Sequence, residues 1–257
     1  MRIRSLALTT ELGLANTRGT VSDHGDYLVV ETPDDPGYYY GNLMVFPAAP
    51  QVGEVAYWTR RFHVHLPHVQ HVTFWWDGLT GDVGAEAELL AAGFTIERAL
   101  VMTAEAVARH DSPLPVRELA ESEITDALGW ALADRHDEAY RQFLQRRAAW
   151  QRTLVARGLG RFWGAFDGSA LVGSLGLVEL GTIGRYQDVE TLPAYRGRGI
   201  ASALLHAAAR AATVERVVVI AEKADLYERA GFRIVERTAS ACKYPPGVSA
   251  RSSRSRL

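Results

Sequence analysis

The chain has 257 residues, 47% of them hydrophobic and 23% charged, with a formal net charge of −2. That length suits one large domain or two ordinary ones, and the balance excludes wholesale disorder. No stretch approaches the ~18 unbroken apolar residues of a membrane span. The opening Met1-Arg2-Ile3-Arg4 leads into too short an apolar run for a secretory signal. The mild acidity argues against a whole-protein nucleic-acid footprint. The expectation is a soluble cytoplasmic protein with neither membrane nor nucleic acid as partner. Cys242 stands alone, which excludes an internal disulfide and a zinc site built on several thiolates. The 26 Arg against 2 Lys read as a base-composition bias.

In chain order, 27–31 and 38–46 have the aromatic and β-branched content of strands, parted by the turn Thr32-Pro-Asp-Asp-Pro-Gly37. Residues 53–62 read as a helix, 71–76 as a strand, 85–92 as a helix and 94–103 as a strand. The joint Arg109-His110-Asp111-Ser112-Pro113 is polar and marked by proline. Beyond it come a short strand at 116–119 and helices at 122–135 and 138–156. Strands follow at 162–166, 171–179 and 185–191. A strong helix covers 199–213, a buried strand 216–221, a helix 224–230, and a last strand 232–240. The domains expected are 1–108 and 109–245, with 246–257 as a disordered basic tail. The halves end alike: Leu89-Leu90-Ala91-Ala92-Gly93-Phe94 parallels Tyr227-Glu228-Arg229-Ala230-Gly231-Phe232, a helix stopped by Gly and a strand opened by Phe. Recurrence at the same place in two similarly ordered halves suggests a duplication.

Chemistry concentrates in Asp188-Val-Glu-Thr-Leu-Pro-Ala-Tyr-Arg196-Gly197-Arg198-Gly199-Ile200-Ala201-Ser202. A strand ends, Pro193 turns the chain and a Gly-rich loop opens a helix. Such a loop presents backbone N–H groups at the positive end of a helix dipole, which is what a pyrophosphate needs, with Arg196 and Arg198 beside it.

The pattern Arg196-Gly197-Arg198-Gly199-Ile200-Ala201 resembles the signature of the GNAT superfamily of acyl-CoA-dependent N-acyltransferases. The strand and Pro before it, the helix and apolar strand after it, and the later Leu226-Tyr227-x-x-x-Gly231-Phe232 follow that family's order. The resemblance covers residues 116–244 and implies an α/β protein of two GNAT-like halves, each a mixed twisted β-sheet flanked by helices. It implies acetyl-CoA as acyl-donor cosubstrate, direct transfer to a primary amine of a small molecule or peptide, and no metal. By the same resemblance Gly197, Arg198, Gly199, Ile200, Ala201 and Ser202, with Arg196, hold the pyrophosphate, and the backbone of Val189, Glu190 and Thr191 pairs with the pantetheine arm. Tyr227 stands where relatives place the tyrosine that protonates the leaving thiolate; an amphipathic core tyrosine explains it as well. For the base, Asp188, Glu190 and Glu222 are candidates, and Glu190 is favoured as nearest the expected thioester. Many relatives carry an Asn after the penultimate strand; Ala221-Glu222-Lys223-Ala224-Asp225 has none. The first half lacks the loop, with Phe46-Pro-Ala-Ala-Pro-Gln-Val-Gly53 in its place and Leu89 where the second half has Tyr227, so it reads as a degenerate copy.

Other readings compete. A non-catalytic acyl-CoA-binding sensor has the same loop. A dinucleotide-dependent oxidoreductase could use Gly197-x-Gly199 with Glu222 as the ribose acid, although that loop follows its strand directly and carries a third Gly where Ser202 stands. His63, His65, His68 and His71 invite a metal, but Pro67 interrupts them and no face collects all four. Tyr38-Tyr39-Tyr40 and Trp75-Trp76 suit a core, and His136, Asp137 and Glu138 suit a helix boundary.

Overall fold

The computed structural model of the chain describes residues 1–133 and 138–246. His136 and Asp137 and the tail from 247 lie outside the described residues. Two compact units emerge, Met1–Val101 with the chain from Glu236, and Met102–Val235. Strands β5 (Thr95–Ala104) and β11 (Arg233–Lys243) straddle the divisions.

The first unit contains α1 (Leu6–Ala15), β1 (Thr20–Asp23), β2 (Leu28–Glu31), β3 (Leu43–Phe46), α2 (Val55–His65), β4 (Val72–Trp76) and α3 (Glu86–Ala91). Its strands run β1-β2-β3-β4-β11, with β3 and β4 parallel and the other pairs antiparallel. Met44, Phe62, Phe74, Trp76 and Leu89 are buried in its core. Tyr39, Tyr40, Trp75 and Trp76 are all buried, as core aromatics should be.

The second unit contains β6 (Val116–Glu118), α4 (Ala127–Leu132), α5 (Glu138–Ala156), β7 (Gly160–Asp167), β8 (Ala170–Leu180), β9 (Ile183–Thr191), α6 (Ile200–Ala211), β10 (Arg216–Ala221) and α7 (Asp225–Arg229). Its strands run β6-β7-β8-β9-β10, antiparallel except for β9 and β10. Both units are mixed α/β. Among the described residues no helix is long and apolar enough to cross a membrane.

Several elements differ from the sequence expectation. Helix α1 and strand β1 were not anticipated: the apolar residues of Leu6–Ala15, interrupted by Thr9, Thr10 and Glu11, are spread around the helix, so periodicity is silent. Distant carboxylates define its start instead. Asp77 accepts from the backbone of Arg4 at 2.9 Å and Ser5 at 2.7 Å, and Glu236 from Leu6 at 2.9 Å. The expected strand 38–46 begins as a 3₁₀ turn, Tyr39–Gly41. Buried Asn42 stabilises that turn, accepting from Thr32 N at 3.0 Å and donating to Asp35 O at 2.9 Å and Tyr38 O at 3.0 Å. The expected helix 122–135 is a 3₁₀ turn, Glu121–Glu123, followed by α4, because Glu123 folds back on Ala120 N and Thr125 starts the helix anew.

The chain also divides earlier than the polar joint suggested. Residues 236–243 lie with the first unit rather than the second, because β11 pairs antiparallel with β4, Ser240 opposite Trp75 and Cys242 opposite Thr73. Trp75 Nε1 donates to Thr238 Oγ1 and Tyr40 shares a hydrogen bond with Ser240, both at 2.7 Å.

The Glu236 carboxylate therefore both caps α1 and anchors the returning strand. Glu236→Ala should cost about 1–2 kcal/mol of stability, and Glu236→Gln, which keeps an acceptor, about half that. Chemical denaturation checks this, and an unchanged midpoint for Glu236→Ala would remove the capping role.

Candidate active site

Strand β9 is where the second unit opens. It pairs with β8 along most of its length, but a bulge sets Gln187 opposite Gly176 and Glu190 opposite Ser174. On its other side β9 meets β10 only through Ile183, Gly184 and Arg185. The backbone of 189–191 thus presents an edge. A 3₁₀ turn, Pro193–Tyr195, then carries the chain into the loop. Gly197 (φ 74°) and Gly199 (φ 79°) are left-handed, a conformation that residues with a Cβ seldom adopt. Gly199 is the N-cap of α6, and no side chain caps that helix. The first-turn N–H groups of this 12-residue helix are left for something else to satisfy.

They face a cavity of about 860 Å³. Its walls include Val189, Glu190 and Thr191 and all seven residues from Arg196 to Ser202, together with His110, Leu132, Tyr195, Leu226 and Arg229. Every residue expected from the sequence to hold the donor thus lies on one surface. The Thr191 hydroxyl in that wall is buried without a hydrogen-bond partner among the described residues. Arg196 is braced by its Nε donating to Thr191 O at 3.1 Å, and the Arg198 guanidinium lies 5.1 Å from the Tyr195 ring centre.

Behind the cavity wall, α5 delivers an ion-pair cluster. Arg147 Nη1 meets Asp188 Oδ1 at 2.8 Å and Arg147 Nη2 meets Glu190 Oε1 at 3.5 Å, while Gln151 Nε2 donates to Asp188 Oδ2 at 2.7 Å. Asp188 is the one non-glycine with positive φ among the described residues, at 48°; Asp tolerates this better than most residues. Burial pushes the Glu190 carboxyl above its usual range, Arg147 opposes the shift and Asp188 adds to it. One guanidinium thus reaches two of the three expected base candidates, Asp188 and Glu190.

Residues 158–234 match the family model described as an acetyltransferase (GNAT) domain. The second unit carries a GNAT acetyltransferase domain. Among solved structures, the fold is similar to a functionally unknown conserved protein from Staphylococcus epidermidis ATCC 12228, with TM-score 0.72, 13% identity, and coverage of 88% of this chain and 94% of that one. A GCN5-related N-acetyltransferase from Kribbella flavida gives TM-score 0.64 at 14% identity over 96% of both chains. A tandem GNAT protein from the clavulanic acid biosynthesis pathway gives 0.50 at 12% identity over 94% of both. No curated protein matches the sequence.

Within this GNAT domain Tyr227 is placed differently from the other expected site residues. It is buried on α7 with its ring 5.8 Å from that of Phe232, and it is not among the cavity-lining residues, although its neighbours Leu226 and Arg229 are. Burial pushes its phenol up to about 12. Glu222 is exposed and lies off the cavity wall. The histidines of the first unit go to separate partners: His65 to the Tyr27 hydroxyl at 2.9 Å, buried His71 to Asn42 O at 3.0 Å, and His68 toward Glu31 at 3.7 Å. His63 and His65 belong to α2. Among the described residues no three metal-ligating side chains are grouped to hold an ion.

At the corresponding place in the first unit, carboxylates bind amides of the loop that leads into α2. The Gln51 amide donates to Glu54 Oε2 at 2.8 Å and the Gly53 amide to Glu88 Oε2 at 2.6 Å. Two carboxylates thus occupy this loop, although no side chain caps α2 itself, and Leu89 is buried in the core.

Removing Arg147 leaves two carboxylates facing each other in a partly buried site. Arg147→Ala should cost about 2–4 kcal/mol at pH 7.5. Because the folded-state pKa of Glu190 lies above its unfolded value, folding favours the protonated carboxyl. That stabilisation is present at low pH and is lost as pH rises through the folded-state value, so the cost should shrink at pH 5.5. Denaturation of wild type and variant at both pH values reads this, and an equal cost at both would show that the carboxylates do not interact.

Proposed function

We propose that the second unit is an N-acetyltransferase that moves the acetyl group of acetyl-CoA directly to a primary amine of a small molecule or peptide. The observation that carries this is the meeting of an uncapped helix start, two left-handed glycines and an open strand edge on one cavity. The N–H groups at the start of α6, with Arg196 and Arg198, suit a diphosphate. The exposed edge of 189–191 suits an extended amide-bearing arm, which would pair as an added strand. The unsatisfied Thr191 hydroxyl beside it offers a further polar contact. This is the reading of a protein acting in the cytoplasm and needing no metal.

In the reaction the amine nitrogen attacks the thioester carbonyl, the C–S bond breaks and the amine proton leaves. Glu190 is the proposed acceptor of that proton, directly or through water. Its raised pKa brings it closer to the basicity such a role needs. Arg147 is a positioning residue that fixes the Glu190 carboxylate. Tyr227 is the proposed hydrogen-bond donor to the departing thiolate. At about 12 its phenol stays protonated throughout the working range. Full transfer to a thiolate whose acid lies near 8.5 is uphill by roughly 5 kcal/mol, so it would stabilise the thiolate by hydrogen bonding, and positioning supplies most of the acceleration. The first unit is proposed as a degenerate copy that binds no donor, its loop amides being taken by Glu54 and Glu88.

Calorimetric titration should give about one acetyl-CoA per chain and no binding of NADH. Arg196→Ala and Gly199→Asp should each weaken acetyl-CoA about tenfold or more, while Pro50→Ala in the first unit should leave it unchanged. Binding of NADH instead would favour a dinucleotide enzyme. In turnover over an amine panel, Tyr227→Phe should lower kcat about tenfold or more with little change in the KM for acetyl-CoA. Saturable binding with no turnover of any amine would point to an acyl-CoA sensor, and an unchanged kcat would remove Tyr227 from the mechanism.

A further inference from the structure

His110 belongs to the polar segment ahead of β6, outside the loop signature, yet its imidazole rests on the loop. A Cβ added to Gly199 would run into the His110 ring. His110 lines the large cavity together with Arg196, Arg198 and Arg229. It also lines an adjoining recess of about 470 Å³ along α6 with His206 and Arg210. The segment that carries it is tied down rather than loose. Ala108 N donates to Ala230 O at 2.9 Å, and His206 Nδ1 meets Val107 O at 3.2 Å. On the far side, Phe166 N donates to Pro115 O at 3.0 Å. The backbone on both sides thus sets the ring over the uncapped start of α6.

We propose that His110 is a ligand of the donor's diphosphate, a cationic clamp over the α6 N-terminus whose protonation is coupled to donor binding. The inference rests on the acetyl-CoA reading of the cavity. Imidazole is the side chain that changes charge near neutrality. The groups that share its cavity and recess are Arg196 and Arg198 from the loop, Arg229 from α7, and His206 and Arg210 from α6. Glu190 stands in the same cavity wall but is engaged by Arg147, Asp111 is paired with Arg109 at 3.3 Å, and Tyr195 donates to Asp167 at 2.8 Å. A diphosphate brings negative charge that favours the protonated ring. Binding should therefore take up a proton, and affinity should rise as pH falls through the imidazole range.

The test is calorimetric titration of full-length wild type and His110→Gln with acetyl-CoA, at pH 6 and pH 8, in buffers of different ionisation enthalpy. S-acetylpantetheine, which has no diphosphate, serves as the second probe. The difference between the two proteins removes the proton uptake of the ligand's own 3′-phosphate. Wild type should take up more protons than His110→Gln near pH 6.5, and its affinity advantage over the variant should grow about fivefold between pH 8 and pH 6. S-acetylpantetheine should bind both proteins equally. Identical proton uptake in the two proteins, or an equal weakening of both ligands, would overturn the role of His110 and leave the acetyl-CoA site intact. Failure of wild type to bind acetyl-CoA at all would overturn the donor reading and this inference with it.

Discussion

The site depends on a helix that begins without a cap. A helix leaves its first N–H groups unsatisfied, and most proteins place a Ser, Thr, Asp or Asn side chain there. In α6 the N-cap is a left-handed Gly199, so the donors and the dipole point into an open cavity. The surroundings follow from that choice. Gly197 is also left-handed and has open space where a Cβ would stand, Arg196 is braced on Thr191, and β9 parts from β10 so that its edge faces the same space. The buried face of α6, with Ile200, Ala203, Leu204, Leu205 and Ala208, holds the helix against the sheet while its N-terminus stays open.

The same economy appears on α5. Its buried stripe reads Tyr140, Phe143, Leu144, Ala148, Gln151 and Leu154, with Arg147 set among them at helical spacing. Two polar residues one turn apart in an otherwise apolar stripe would leave buried groups unsatisfied unless partners wait opposite. The partners are Asp188 and Glu190 on the bulged part of β9. Arg147 and Gln151 hold Asp188 in its strained backbone conformation, and the bulge in turn fixes where Glu190 enters the cavity wall.

Much of this was legible in the sequence. The Gly-rich loop, its flanking strand and helix, and the span of α5 follow from turn chemistry and periodicity, and the ten donor-side residues expected from the motif share one wall. What escaped was non-local. Helix α1 is defined by carboxylates at positions 77 and 236, and the return of β11 to β4 is a pairing that no local pattern announces. Arg147 and Gln151 did leave a signal, polar residues inside an apolar stripe, which periodicity passes over when it counts only the apolar positions. His110 sat in a stretch read as a joint, and its place over Gly199 comes from backbone bonds to α6 and to the end of α7.

The two units show how one arrangement of strand, loop and helix supports opposite electrostatics. In the second unit the helix start carries arginines and no acid of its own, so its N–H groups can meet an external anion. In the first, Glu54 and Glu88 bring negative charge to the loop ahead of α2 and bind its Gln51 and Gly53 amides. A carboxylate at a helix start is favourable by itself, and it repels a phosphate there. The start of α6 gives up a local stabilisation of about 1 kcal/mol and keeps its donors available beside arginines rather than acids. Residues 51–54 and 196–199 thus distinguish a loop whose amides are taken by acids of its own chain from one left open to a ligand.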